Sequence, residues 1–533
     1  MNDPISSIFV IRDLRTGSEI ISRLSLTNPQ QAEVDLHRIL DSLAATPPDG
    51  ETYFQLLEQA RLPISFVAEE MAKRYLNKPL PLAEVEEEIF QQVVTLWLKT
   101  AKAYAHCAEC DTPDEDDAAH AQRVATILHR CIHHTGMAIV EYQRARREYA
   151  WGLWLDLHGY YASAEEWGLA TFGVPDPLDA PDTGTHCMAT YAAFLLCEMA
   201  GGFSLSVKKQ ALVRRWAKLW APLVTVAQID PEVPPTGFVI DLMKDCALRP
   251  VSHFVPGPNL RRLDTTRLSA QLAHVRELIR QRVPPAQLAL GEDCSAGQCA
   301  QLLDALARPW ALAPASRKFR RRASSGTVRV CTGFEEMYFF ITGRAFEQPE
   351  NVRTYSRQEF ETLFAFRHQE NPQQTLQVQR EQLDYRLDDW EIVNQSAQGF
   401  RLIRSVSGRK MAHGQLIALC PPDGEQFFLA QTSWLMQERE GGLIAGVDAL
   451  PGMPQPIAAR TRDADGSPPG KYQPAFLLPA IPSVQGEQSL VLPVGWYRPG
   501  RVVELYTDRA WQVRLLQVLD DGSDFERTAF VIC

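Results

Sequence analysis

Five of the six residues from Arg317 to Arg322 are basic (Arg317-Lys318-Phe319-Arg320-Arg321-Arg322), and Arg317 and Arg321 stand in an Arg-x-x-x-Arg spacing. A guanidinium is a planar fork that grips phosphate oxygens through paired hydrogen bonds, and its face stacks on a purine base. Several of them on one short segment suit a compact ligand with more than one phosphate. Taken alone, the run reads sooner as a solvated linker or a generic anion-binding or nucleic-acid tail. Further along, Asn394-Gln395-Ser396-Ala397-Gln398-Gly399 forms an Asn-x-Ser-x-x-Gly pattern between Trp390-Glu391-Ile392-Val393 and Phe400-Arg401-Leu402-Ile403. Asn and Ser cap tight turns and present amide and hydroxyl groups to a base edge. Gly399 allows either a positive φ or a close backbone approach to a ligand. The same three residue types also make a plain hairpin turn.

The elements around these residues differ between the two halves of the chain. In residues 1–308 apolar positions recur at helical spacing, as in Leu82, Val85, Ile89, Val93, Leu96 and Tyr104. Helices are predicted there and over 118–147, 151–168, 188–200, 207–221 and 266–281, with an acidic connection at 111–117. Ser7–Ile11 reads as an isolated strand or packed arm. From Thr327 onward β-branched and aromatic residues alternate with polar ones between Gly, Asp and Asn turns. Strands are predicted over 327–332, 390–394, 399–405, 415–420, 426–437 and 442–450. Between the two motifs, an insertion from Glu347 to Glu381 carries a helix-start pattern at Ser356–Glu359. Pro451–Lys471 reads as a Pro- and Gly-rich linker, with 461–471 as its core. The remaining 472–533 holds four or five strands that form either a second small barrel or the completion of the first. The fold class is therefore multidomain α + β, a helical N-terminal half followed by antiparallel β-barrel structure.

With the two motifs in this order around an all-β segment, residues 315–460 resemble a PilZ domain, the bacterial receptor module for cyclic di-GMP. Gly414–Leu419, Ala430–Leu435 with Trp434, and Gly446–Leu450 are similar to its later strands. The helical half, through Gly152-Leu153-Trp154-Leu155-Asp156-Leu157-His158-Gly159-Tyr160-Tyr161, is similar to the N-terminal region of long proteobacterial PilZ proteins. The resemblance implies that Arg317 and Arg321, with Arg320 in the same run and Arg322 as an alternate register, grip the phosphates and stack on guanine. It implies that Asn394 and Ser396 bond a guanine edge and that Gly399 holds the turn. One departure stands out: Asn394 lies far beyond Arg322, where PilZ domains keep the two motifs close. The insertion between them either sits outside the barrel, or covers the site, or marks a domain that has lost its ligand.

Cys107 and Cys110 with His129, Cys131, His133 and His134 have zinc-like spacings, but helical geometry separates the two groups by roughly 15 Å along the axis. Cys294 and Cys299 invite a redox reading, against which stands a pair of incidental thiols. The aromatic residues Tyr149, Trp151, Trp154, Tyr160, Tyr161 and Trp167 read as helix core, or as a partner surface where exposed. No hydrolase, P-loop or metalloprotease motif is present. A net charge of −11 argues against general nucleic-acid binding, and no apolar stretch is long enough to span a bilayer. With no secretory leader, and 11 cysteines in no disulfide-like spacing, the expected location is the cytoplasm. The sequence thus reads as a non-enzymatic cyclic di-GMP receptor without cofactor or metal, whose helical half docks a protein partner. Its rival is a scaffold with a degenerate PilZ-like barrel.

Overall fold

The computed structural model describes residues 9, 11–110, 117–176, 178, 184–229, 237–313, 322–349, 383–396, 398–405, 408–422, 424–462, 470–481 and 487–533. The chain forms two units, one of 1–78 and 82–316, the other of 79–81 and 317–533. The first is built on α1 (Leu14–Ser22), α2 (Pro29–Ala45), α3 (Gly50–Ala72), α4 (Glu84–Glu109), α5 (Asp117–Arg144), α6 (Leu153–Glu166), α7 (Cys187–Met199) and α8 (Val207–Trp220). A small sheet follows, of β1 (Thr225–Gln228), β2 (Phe238–Asp241), β3 (Arg249–Pro250) and β4 (Leu260–Asp264), ordered β1-β4-β2-β3. Helices α9 (Thr266–Arg280) and α10 (Ala296–Trp310) complete the unit.

Local chemistry sets the helix ends. Asp49 caps α3 by accepting from the Thr52 amide at 2.9 Å. Helix α6 begins after Gly152, whose φ of 84° suits a residue without Cβ but which has no capping side chain. Asp245, between β2 and β3, supplies the missing acceptor to the amides of Gly152 (2.6 Å) and Trp154 (3.0 Å). The same connection fixes His158: a carbonyl can only accept, so Nε2–H donates to Cys246 O at 3.0 Å and Nδ1 accepts from the Tyr191 hydroxyl at 2.8 Å. The Gly152–Tyr161 segment is thus held at its start and its middle by the small sheet, which the helical periodicity did not foretell. Trp154 and Tyr161 are core, whereas Trp151 is 80% and Trp167 57% exposed, so the aromatic group is only partly core.

The second unit holds β5 (Arg322–Ala323), β6 (Thr327–Thr332), α11 (Phe334–Thr342), β7 (Asp388–Ser396), β8 (Gly399–Arg404), β9 (Leu416–Cys420), β10 (Phe428–Gln437) and β11 (Leu443–Ala449). Hydrogen bonds run β7-β6-β9-β10-β11-β8, and β8 returns to pair with β7, closing the ring. Strand β5 continues the β6 side of β7. A second barrel closes as β12-β13-β14-β17-β16-β15, from β12 (Gln455–Arg462), β13 (Gln473–Leu478), β14 (Ser489–Pro493), β15 (Val502–Tyr506), β16 (Ala510–Asp521) and β17 (Phe525–Ile532). Strand β12 corrects the linker reading of Pro451–Lys471. Its Ile457 and Ala459 are buried, and Pro456 lies at the end that β15 does not pair, where a missing N–H is tolerated. Helix α11 also went unforeseen; its Met337 and Phe339 are buried, Met337 in a core that joins Leu416 of the first barrel to Phe476 of the second. The predicted helix start Ser356–Glu359 lies outside the described residues, as does all of the Ser7–Ile11 arm except Phe9 and Ile11.

Several buried charges in the helical unit are paired. Asp176 accepts from Arg61 at 2.9 and 3.1 Å, Arg130 donates to Glu58 at 2.9 and 3.0 Å, and Tyr104 donates to Glu58 at 2.7 Å. Burial pushes Asp176 up, but the hydrogen bonds from Arg61 and the charges of Arg130 and Arg61 outweigh it, so the carboxyl sits well below the usual carboxylate range. Glu58 is likewise lowered, burial again being overcome by Arg130 and Arg61. A carboxyl depressed on folding contributes stability above its unfolded value of about 4 and loses it as pH falls through the folded value. Urea midpoints should therefore hold down to about pH 5 and fall below about pH 4. Asp176→Asn, which leaves Glu58 as the one carboxylate of this group facing Arg61 and Arg130, should cost about 1–3 kcal/mol at pH 7; a midpoint unchanged by the substitution would count against the network.

Candidate functional site

Strands β7 and β8 form the hairpin that carries the Asn-x-Ser-x-x-Gly pattern. Trp390 and Ile392 point to the core, and a strand alternates its faces every residue. Unbroken alternation would aim Asn394 and Ser396 inward too. The register instead skips a residue: Ile392 pairs with Leu402, whereas Asn394 pairs with Arg401. Val393 is the extra residue of a β-bulge and is 39% exposed. Beyond it Asn394 shares the face of Arg401, opposite to that of buried Leu402.

That face continues across the sheet. Arg401 is opposite Gly446 on β11, and Gly446 is opposite Trp434 on β10. A β-carbon on Gly446 would collide with Nε1 of Trp434, so the glycine opens the notch in which the indole lies. The Arg401 guanidinium then sits 5.7 Å from the Trp434 ring centroid, within cation–π range. The row Asn394, Arg401, Trp434 thus presents an amide, a guanidinium and an indole side by side. Asn394 Oδ1 and Arg401 Nε are buried and have no hydrogen-bond partner among the described residues. Buried polar atoms are normally satisfied, so two orphans on one face mark a place where a ligand or water completes the bonding.

The neighbouring row is Ser396, Gly399 and Asp448. Ser396 Oγ caps the turn, donating to Gly399 O and accepting from the Gln398 amide, both at 3.4 Å. Gly399 is required, but for neither expected reason: its φ is not left-handed, and the close approach comes from β11. A β-carbon there would fall on the carbonyl oxygen of Val447.

Of the basic run only Arg322 is described; Arg317, Arg320 and Arg321 lie outside the described residues. Arg322 pairs with Gln395 and Ala323 with Asn394, so Arg322 holds a register position on the face opposite Asn394 and Ser396. The run therefore leads directly into the strand beside the hairpin, while Arg322 itself is not placed beside the Asn394 row. Arg401 and Trp434 were not singled out from sequence as site residues. Arg401 falls two positions after Gly399, which would have put it on the same strand face, but the Trp434 position depends on a second bulge between Thr432 and Trp434.

The zinc-like residues serve other ends. Cys107 Sγ donates to Gly50 O, Cys131 Sγ donates to Ala101 O, and His129 bonds Arg130 and Thr190. Among the described residues no group of three His, Cys, Asp or Glu could hold a metal ion. Cys294 and Cys299 are both buried free thiols.

The Gly399 contact yields a direct test. Gly399→Ala forces β8 and β11 apart where neither backbone can yield, and should destabilise the second unit by about 1–3 kcal/mol in urea denaturation; an unchanged midpoint would overturn the packing account.

Three family models match the chain. "Cyclic-di-GMP receptor FimW, N-terminal domain" covers 15–232, "Cyclic-di-GMP receptor FimW, middle PilZ domain" covers 238–372, and "FimW C-terminal beta-barrel domain" covers 457–533. The middle match begins at β2 in the first unit and stops before β7, so it takes in the basic run but not the hairpin. Hydrogen bonding, by contrast, closes the first barrel only with β7 to β11. Among curated proteins, the cyclic-di-GMP receptor FimW of Pseudomonas aeruginosa is 24% identical over 495 residues, 85% of this chain and 80% of its own length. No solved structure matches. Within the described residues no helix is long and apolar enough to cross a membrane. With its helical N-terminal half, its closed barrel after the basic run and its second closed barrel at the C-terminus, the chain belongs to the FimW-type family of PilZ-domain proteins.

Proposed function

We propose that this chain is a cyclic di-GMP receptor whose ligand is captured between the basic run 317–322 and the outer face of the β7–β8 hairpin. The observation that carries this is the row Asn394, Arg401 and Trp434, with two unpartnered buried polar atoms, which starts on β7, the strand paired with the β5 into which the run leads. Family membership and the name of the Pseudomonas relative support the same ligand. Cyclic di-GMP combines two phosphates with two guanines. In this reading Arg317 and Arg321, with Arg320, take the phosphates; Asn394 and Ser396 read a guanine edge; Arg401 and Trp434 carry the base by stacking. Gly399 keeps the hairpin tight, and Arg322 is the first paired residue of β5 rather than a base contact. The sheet from β5 to β11 is the receptor domain, the helical unit is the output that engages a protein partner, and the chain works as a receptor and not as an enzyme. Such a ligand places the protein in the cytoplasm.

Transmission follows from the same geometry. By bridging the run to the hairpin, the ligand fixes the segment that joins α10 to β5 in one arrangement. Proteolysis near Arg320 should slow at least severalfold with saturating ligand, and equal rates would remove this mechanism. Calorimetric titration tests the site itself. The parent should bind in the micromolar range or tighter, about −8 kcal/mol. Arg317→Ala/Arg321→Ala should abolish binding, while Asn394→Ala and Trp434→Ala should each weaken it by about 1–3 kcal/mol. A parent that binds no cyclic di-GMP would instead favour the scaffold reading, with the barrel kept for its shape.

A further inference from the structure

The helical unit holds a cavity of about 340 Å³, walled mainly by α3, α4, α5, α7 and α8. An apolar cavity of about 150 Å³ takes one benzene ring, so this one has room for two fused rings. Trp97, Met137, Ala193 and Phe194 supply apolar walls, two of them aromatic.

Neutral hydrogen-bonding groups sit among these walls. Arg130 can only donate, and its Nη1 lies 2.9 Å from His129 Nδ1. His129 therefore accepts at Nδ1 and carries its proton on Nε2, which donates to Thr190 Oγ1 at 2.7 Å. Thr190 keeps its own hydroxyl hydrogen to give, either to Thr185 Oγ1 at 3.4 Å or into the cavity. His133 and Ser65 line the same space, and among the described residues no hydrogen bond reaches the His133 ring nitrogens or the Ser65 hydroxyl. Burial, with the charges of Arg61 and Lys218, pushes the His133 pKa down to about 3. It is a neutral imidazole, with one donor and one acceptor on offer in either tautomer.

The charged side chains of the lining are already engaged. Glu69 is held by Arg144 (2.8 Å) and Arg214 (3.1 Å), and Asp176 by Arg61 (2.9 Å) and Arg130 (3.5 Å). Arg215 holds Asp293 at 2.7 Å, and Lys218 has a partner as well. None of these charges is free to meet an ion, whereas the neutral groups have hydrogen-bonding capacity left over. Unused capacity beside aromatic walls is what a neutral guest with a polar edge requires.

We propose that this cavity is a second ligand site, independent of the hairpin face, and that it takes a small uncharged aromatic or heteroaromatic molecule with a hydrogen-bonding edge, such as an aromatic amide. The ring lies against Trp97 and Phe194, and its polar edge meets His133 and Thr190. A neutral imidazole reads a neutral edge without the cost of burying a charge. A carboxylate or an ammonium group would enter as an unmatched ion among charges that are already paired, and would lose its hydration for nothing in return.

The test uses the full chain and ligand-observed saturation-transfer NMR with benzamide, nicotinamide and indole-3-acetamide, each beside its acid, and with benzamidine as a cation. At least one amide should bind, with its acid and benzamidine fivefold or more weaker. Ala193→Phe, which fills the cavity, should abolish the signal. His133→Phe, which keeps a ring but removes both nitrogens, should weaken it at least fivefold. Both variants should retain the parent's circular dichroism and cyclic di-GMP titration, which separates this site from the hairpin. Should Ala193→Phe fail to fold, His133→Phe decides alone. Failure of all three amides to bind, an acid or benzamidine that binds as well as the amide, or an amide signal that either folded variant leaves unchanged overturns the proposal.

Discussion

One extra residue in one strand decides which way the candidate site faces. Trp390, Ile392, Asn394 and Ser396 share parity, so a regular β7 would bury all four side chains. Trp390 and Ile392 belong inside; an asparagine amide carried in with them would need partners that an aliphatic core lacks. The bulge at Val393 absorbs the conflict. It keeps the tryptophan and isoleucine in the core, turns the polar pair outward, and sets Asn394 opposite Arg401. Every other feature of the face depends on that phase: the amide beside the guanidinium, the glycine at 446 that lets Trp434 lie flat enough to meet Arg401, and the tight Gly399 crossing that holds the turn against β11. Bulges re-aim side chains at functional sites, and this one does so for a whole hairpin.

What the sequence made legible follows from how local each signal is. Helices α5 and α8 are amphipathic segments with a clear 3.6-residue period and α7 is an apolar run buried nearly all round, and the predicted spans of all three lie within a few residues of those observed. The longer strands of the first barrel were found at nearly their observed limits, although β9 and β11 are buried at almost every position and do not alternate. Strand β12 was lost because Pro454 and Pro456 imitate a linker, although the segment is paired on both sides. Helix α11, Phe334-Glu335-Glu336-Met337-Tyr338-Phe339-Phe340-Ile341-Thr342, is so aromatic that its composition suits a strand; Gly343, left-handed at φ 72°, was the available helix-stop signal. The β1–β4 sheet has strands of two to five residues, too short for any period to register. For the site, Asn394, Ser396 and Gly399 were readable as a pattern, whereas Arg401 and Trp434 meet only through cross-strand register.

The helical unit handles its interior polar groups by two different rules. Arg61, Arg130, Asp176 and Glu58 are kept charged, because each fork finds a carboxylate at hydrogen-bond distance and the group as a whole is neutral. His129, His133 and His134 fall within about a turn and a half of α5 and cannot all be charged; burial and the neighbouring arginines hold all three well below the usual histidine range. His134 is stacked between Trp97 and Tyr104 at ring distances of 5.5 and 5.7 Å with neither nitrogen bonded among the described residues. The arginine network thus does two things at once: it ties α3 to α5, and it biases the nearby imidazoles toward neutrality.

Three peptide connections join the two units, at 78–79, 81–82 and 316–317, and the last opens directly into the basic run. A ligand shifts an equilibrium only by the difference in its affinity for the two arrangements. To take a population from 1:99 to 99:1 requires about 5.5 kcal/mol of such difference. Charge-assisted hydrogen bonds contribute roughly 1.5–3 kcal/mol each, so the two paired bonds of a single arginine fork already approach that range and a second fork would exceed it. On the proposed reading, a run with four arginines at the covalent junction between the two units would make the phosphate bonds conditional on the position of the chain.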